Sequence, residues 1–105
     1  MKIFCDSGSS NCYKIKLLAA LLEIQREWIH ADILAGGTQT PEFLNKNPNG
    51  QISVVESADG RCLSESNANI NFLAPGSSLA LSDPYEYAKV QQWQFFEQYS
   101  HGPFI

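Results

Sequence analysis

Residues 47–73, NPNGQISVVESADGRCLSESNANINFL, constrain the fold more than any other stretch of this chain. Pro48-Asn49-Gly50 makes a turn, and residues 51–56 follow as a β-rich run. Asp59-Gly60 is a hairpin signal that joins this run to a second short strand, residues 61–63. Glu65-Ser66-Asn67 then opens a helix over residues 65–73, with Ala68, Phe72 and Leu73 as core contacts. Exposed N–H groups and short polar side chains gather at that helix start, where an anion can sit.

The stretch before it alternates strand and helix. Residues 2–5 read as a strand, and Asp6 to Ser10 as a loop able to cap a helix. Ile15, Leu18, Leu21 and Leu22 recur at helical spacing within a helix over about residues 11–23. Residues 27–34 alternate Trp28, His30 and Asp32 against Ile29, Ala31 and Ile33, which predicts a strand. Gly36-Gly37 breaks the chain, and Thr40-Pro41-Glu42 supplies N-cap, first-position proline and first-turn acid for a short helix.

The order is therefore β-α-β-α-β-β-α. Its first half is a βαβ unit, so the first two strands are expected parallel with a right-handed crossover. Residues 74–82 read as a linker, and Asp83-Pro84-Tyr85-Glu86 as a strong helix start. That last helix is expected to run to about Tyr99, with Gly102-Pro103 as its stop.

With 105 residues, the chain is long enough for one domain with one core. Its net charge of −4 and lack of any Lys/Arg cluster argue against nucleic acid or an anionic membrane as partner. No apolar run is long enough to span a bilayer, and the N-terminus has no secretory h-region, so a cytoplasmic protein is expected. Cys5, Cys12 and Cys62 are an odd number without a CxxC pair. That pattern suits reduced thiols better than a disulfide framework, and no metal site is expected.

Two helix starts carry the chemistry. At Ser9-Ser10-Asn11-Cys12, N–H groups and the positive end of the helix dipole favour an anion such as a thiolate. Ser9 can donate a hydrogen bond to it and Asn11 a second. The plainer reading is that Ser9 or Ser10 only caps the helix. Cys12 reads either as a nucleophile in an S-x-x-C stretch or as a small buried apolar residue, and the latter is preferred. At Ser64-Glu65-Ser66-Asn67, the Ser66 hydroxyl and nearby N–H groups can hold a carboxylate, while Glu65 faces an ammonium. A ligand with both groups is an α-amino acid head. Residues 51–53 add an extended backbone that can pair with a peptide.

SSNCYKIKLLAALLEI, TPEFLNKNPNGQI, DGRCLSESNANINFLA and QQWQFFEQYSHGPFI together resemble the cytosolic glutathione transferases. The match is to the N-terminal thioredoxin-like domain, and the last piece is similar to the first helix of the all-helical C-terminal domain in bacterial members. The resemblance implies an α/β, thioredoxin-like βαβαββα domain with a four-stranded mixed sheet, followed by one detached α-helix. The implied domains are residues 1–75, a linker over 76–83, and residues 84–105 as the first helix of an otherwise missing helical domain. It also implies glutathione as co-substrate, with Ser9 as the thiol-activating residue and Asn11 as auxiliary donor. Gln51 and the backbone of Ile52 would contact the cysteinyl and glycyl portion, Glu65 and Ser66 the γ-glutamyl head, and Gln39 the glycine carboxylate.

Two departures shape the expected function. The family carries a cis-proline where this chain has Ser53. A cis bond before a non-proline residue costs about 2.5–4 kcal/mol, so a trans Ile52–Ser53 bond, a displaced ligand-facing backbone and weak glutathione binding are expected. A proline at position 53 would then tighten binding. The second departure is the short helical part. Val90, Trp93, Phe96 and Tyr99 form an apolar stripe without partner helices, which implies a homodimer or a swapped helix through residues 84–100. The leading expectation is a glutathione S-transferase-like protein. The alternatives are a non-catalytic interaction or regulatory module and, weakest for want of a cysteine at position 9, a glutaredoxin-like thiol-disulfide enzyme.

Overall fold

The computed structural model describes residues 1–75 and 82–101. Strand β1 (Lys2–Cys5) is followed by helix α1 (Ser10–Leu21), strand β2 (Glu27–His30) and helix α2 (Pro41–Lys46). Strands β3 (Val54–Glu56) and β4 (Cys62–Ser64) form the hairpin, and helix α3 (Ser66–Leu73) closes the unit. The chain divides into two compact units, Met1–Ala74 and Pro75–Ile105. The second unit contains helix α4 (Pro84–Phe96), which widens into a π-helical turn over Glu97–His101. Most of the expected linker, and the Gly102-Pro103 stop, lie outside the described residues.

The first unit is built on a four-stranded sheet of order β2-β1-β3-β4. β1 runs parallel to β2 and antiparallel to β3, and β3 pairs antiparallel with β4. Side-chain alternation along β1 and β3 sends apolar residues to both faces of the sheet. Ile3, Cys5 and Val55 join Cys12, Ile15 and Ala19 of α1 and Leu73 of α3 in one cluster. Val54 turns the other way, to Ala31 and to Phe43 of α2, with Phe4 packed against them. The core therefore has two layers, with α1 and α3 on one and α2 on the other.

Two expected strand boundaries shift, and the buried face of α3 differs from the expected one. β2 ends at His30 instead of residue 34. Asp32 Oδ1 accepts from the backbone N–H groups of Leu34 and Ala35, which turns the chain out of the sheet. β3 starts at Val54, because residues 51–53 belong to the turn region and enter no ladder pair. α3 buries Ser66, Asn69 and Leu73, whereas Phe72 is exposed and Ala68 only half-buried. Two polar side chains thus occupy the face that was expected to be apolar.

Helix α2 is fastened at both ends. Thr40 Oγ1 accepts from the Phe43 N–H at 3.2 Å, and Pro41 follows the cap, as read from the sequence. At the other end, Lys46 Nζ donates to Glu56 Oε1 and lies 5.1 Å from the centre of the Phe4 ring. That hydrogen bond holds the Glu56 carboxyl below its ordinary value of 4.5. A depressed folded-state value adds stability above the unfolded value, and this is lost as pH falls through the folded one. Glu56→Gln should therefore flatten the decline in thermal stability between about pH 5 and 3, the range in which a depressed carboxylate titrates. An acid profile identical to that of the unsubstituted protein would show that the pair contributes nothing.

Candidate functional site

A cavity of about 250 Å³ opens where the starts of α1 and β3 approach each other, lined by Ser9, Asn11, Ile33, Thr38, Gly50, Gln51 and Ile52. Four residues singled out in the sequence, Ser9, Asn11, Gln51 and Ile52, thus meet around one space. Ile33, Thr38 and Gly50 join them without having been foreseen. A somewhat larger hollow of about 280 Å³ lies at the β3–β4 hairpin, between Val55, Arg61, Cys62, Leu63 and Phe72. None of the seven site residues lines it, and burial pushes the Cys62 thiol up from its ordinary value.

Ser9 is the N-cap of α1, with its side-chain oxygen accepting from the Cys12 N–H at 3.3 Å. The capping and the functional readings are therefore compatible. The hydroxyl oxygen uses a lone pair for the cap and keeps its one hydrogen for another acceptor. The loop holding Ser9 is pinned by Asp6, which sequence reasoning missed. Asp6 Oδ1 accepts from the Gly8 N–H at 2.9 Å and Oδ2 from the Ile33 N–H at 3.1 Å. The Gly8 contact and then the Ile33 contact hold the Asp6 carboxyl below the usual carboxylate range. Two walls of the cavity are thereby tied together by one side chain.

The opposite wall is the NPNG turn. Asn47 is buried; its Nδ2 donates to the Gln51 carbonyl at 2.8 Å and its Oδ1 accepts from the Asn49 N–H at 3.2 Å. Gly50 has φ +63, a conformation that favours glycine, and a Cβ there would displace the Gln39 side chain, whose Nε2 would stand 2.6 Å away. Gln39 is exposed and is not among the lining residues. Its Nε2 donates to the Gly50 carbonyl at 3.1 Å and to Thr38 Oγ1 at 3.2 Å.

The trans expectation for Ile52–Ser53 is overturned, because the bond is cis. The surroundings that hold this segment are not local. Ser53 is 2% exposed, and its hydroxyl donates to Asn69 Oδ1 of α3 at 2.5 Å. Asn69 Nδ2 in turn donates to the Leu63 carbonyl at 2.8 Å. The position that the family fills with a ring is here filled by a hydroxyl tied to a buried amide. The weak binding argued from a displaced backbone loses its premise.

Glu65 and Ser66 are not among the cavity-lining residues. They lie just beyond the ladder pair Val54–Ser64, as Ser53 and Ile52 do on the other strand. Glu65 precedes α3 with φ 75 and makes no side-chain cap bond. Such a conformation costs a non-glycine residue about 1–3 kcal/mol and is concentrated at functional positions. Lys14 Nζ, from α1, donates to Asn67 Oδ1 in the first turn of α3 at 2.9 Å, linking the two helix starts.

The expectation of reduced cysteines is corrected as well. Cys5 and Cys12 form a disulfide, with Cα atoms 5.8 Å apart. Cys5 ends β1 and Cys12 occupies the first turn of α1, so the βα connection brings both into the same buried layer. Cys62 is the free thiol and is exposed. Among the described residues, no group of three or more His, Cys, Asp or Glu side chains could hold a metal ion, and no helix is long and apolar enough to cross a membrane.

A mixed sheet in this order, with two helices on one face and one on the other, defines a thioredoxin-like domain. The family model for the glutathione S-transferase N-terminal domain matches residues 1–75, and the chain belongs to that family. It is 58% identical to a glutathione S-transferase from Pseudomonas fluorescens of known structure, with a TM-score of 0.95 over 99% of this chain and 52% of that one. A possible glutathione S-transferase from Rhodopseudomonas palustris is 44% identical, with a TM-score of 0.92 over 97% of this chain and 46% of that one. Among curated proteins, elongation factor 1-gamma 3 of Oryza sativa is 33% identical over 90% of this chain and 23% of its own length. The chain thus spans about half of the bacterial relatives and about a quarter of the elongation factor.

Proposed function

We propose that this domain binds glutathione and stabilises its thiolate for attack on an electrophile. The observation that carries the reading is the state of the Ser9 hydroxyl. It is oriented by the Cys12 N–H, its hydrogen is not needed for the cap, and it lines a cavity with Asn11, Gln51 and Ile52. A thiolate placed there accepts from Ser9 and lies near the positive end of α1. The backbone at Gln51 and Ile52, which enters no ladder pair in the sheet, pairs with the cysteinyl part of the peptide. The start of α3 offers Ser66 and its neighbouring N–H groups to the γ-glutamyl carboxylate and Glu65 to the ammonium.

In the reaction, the thiol proton leaves to solvent, sulfur forms a bond to an electrophilic carbon or sulfur, and the displaced group departs with its electron pair. Ser9 holds the anion by hydrogen bonding and forms no covalent intermediate. The same reading includes a homodimer. Val90, Trp93, Phe96 and Tyr99 of α4 and the turn after it are exposed, and such a stripe suits a second chain.

A second reading, a non-catalytic interaction module, is favoured by one observation: a curated relative covering nearly all of this chain bears the name of an elongation factor, not of a transferase. Retention on immobilised glutathione, with elution by free glutathione, separates the two. The first reading expects specific retention, and passage without retention would leave the second.

A further inference from the structure

We propose that the Cys5–Cys12 bridge is a redox latch on the cavity: closed, it holds Ser9 and Asn11 in the binding arrangement, and its reduction by a dithiol weakens anion binding there. This rests on the reading that the cavity takes glutathione with its thiol ionised. The bridge joins the last residue of β1 to the first turn of α1, so the ring it closes contains Asp6, Gly8, Ser9 and Asn11. One end of the bridge is fixed in the sheet. Cys5 is paired with His30, and its carbonyl accepts from the Ala31 N–H at 2.9 Å. The other end is the residue whose N–H orients the Ser9 hydroxyl. Within the ring, the Gly8 N–H donates to Asp6 Oδ1 at 2.9 Å and the Ser9 N–H to the Asp6 carbonyl at 3.0 Å. Ser7 and Gly8 are exposed, so water competes for bonds of this kind but cannot replace the covalent tie.

Both cysteines are buried among Ile3, Ile15, Ala19 and Val55. Two thiols need more room than one disulfide, because unbonded sulfurs separate to van der Waals contact, and a close-packed layer yields that room only by displacement. β1 lies between β2 and β3 and is held on both sides, so the start of α1 is the part that moves. Opening the ring also returns conformational freedom to the loop that carries Ser9.

In the reduction, a thiolate of the dithiol attacks one sulfur of the bridge, and the other sulfur leaves with the electron pair and takes a proton. The second thiolate of the dithiol then displaces the first cysteine, which is protonated in turn, and the dithiol closes to its own disulfide. Two electrons pass to the bridge. Because the bridge is buried, attack requires the start of α1 to open, and a ligand bound at Ser9 opposes that opening. By linkage, ligand and bridge stabilise each other by the same factor.

The test is calorimetric titration with glutathione sulfonate, which carries a permanent anion at the thiol position and has no thiol to attack the bridge. The unsubstituted protein is titrated before and after equilibration with dithiothreitol, and its thiols are counted by alkylation after denaturation. Reduction is expected to expose Cys5 and Cys12 to alkylation in addition to Cys62, and to weaken binding about tenfold, as for loss of one hydrogen bond to a charged group. Saturating glutathione sulfonate should make the bridge about tenfold harder to reduce, which is about 30 mV for a two-electron couple. Cys5→Ala, which cannot form the bridge, should bind equally with and without dithiothreitol. The proposal is overturned if both redox states of the unsubstituted protein bind equally, if Cys5→Ala still responds to the dithiol, or if all three cysteines are alkylated before reduction. A bridge that stays closed in excess dithiothreitol overturns it too. Failure of the oxidised protein to bind glutathione sulfonate would instead overturn the underlying reading, and the proposal with it.

Discussion

Replacing Ser9 by alanine is expected to raise the thiol pKa of bound glutathione toward its free value by roughly one to two units, the equivalent of one hydrogen bond to an anion. The same change removes the cap of α1, which costs about 0.5–2 kcal/mol of stability. The two effects separate with two further substitutions. Ser9→Asp keeps an acceptor for the Cys12 N–H but has no hydrogen to donate and places a like charge beside the thiolate. It should preserve the melting temperature and raise the thiol pKa further than alanine does. Ser9→Thr should leave both nearly unchanged. Thiolate absorbance of the bound peptide, followed as a function of pH, reads the first quantity, and thermal unfolding the second. A Ser9→Asp protein with an unaltered bound-thiol pKa would reduce Ser9 to a helix cap.

Asn69→Ala is expected to have the largest effect on stability. The side chain is fully buried and makes two hydrogen bonds, accepting from Ser53 and donating to the Leu63 carbonyl. Alanine removes both, leaving the buried Ser53 hydroxyl and the carbonyl of the exposed Leu63 without that partner. Stranding the buried hydroxyl alone costs about 1–3 kcal/mol. A unit of this size has a total stability of about 4–11 kcal/mol, so the loss is a large share of it. The same contacts hold Ser53 and the start of α3, so the two backbone segments proposed to grip the peptide are loosened together. Chemical denaturation should show a drop of about 1–3 kcal/mol. A change below about 1 kcal/mol, the range of an ordinary surface substitution, would mean that Asn69 is not the link between them.

The legible parts of the sequence were those governed by short-range rules. The Thr40-Pro41 and Asp83-Pro84 helix starts, the Asp59-Gly60 turn and the Ser9 cap each depend on residues within one turn, and the structure reproduces them. The misses depend on distant partners. Ser53 lies 16 residues from Asn69, and Asp6 lies 27 from Ile33. No local periodicity announces either pair. The burial of Asn69 in place of an apolar residue was hidden for the same reason, because an asparagine inside a helix ordinarily reads as surface. The Cys5–Cys12 bridge lacks the spacing of any familiar pair and arises only when β1 and α1 fold against each other. Within the site, Ser9, Asn11, Gln51 and Ile52 were readable from helix-start and turn chemistry. Thr38 was not, since nothing in the sequence shows that a loop threonine is buried beside them.

The central claim is that the cavity at the start of α1 binds glutathione with its thiol ionised. Calorimetric titration of the protein at neutral pH, repeated in buffers of different ionisation enthalpy, tests it most directly. Saturable binding accompanied by release of a proton from glutathione, and binding of S-methylglutathione without that release, is the predicted result. No binding, or binding of the two ligands with identical proton uptake or release, would contradict it.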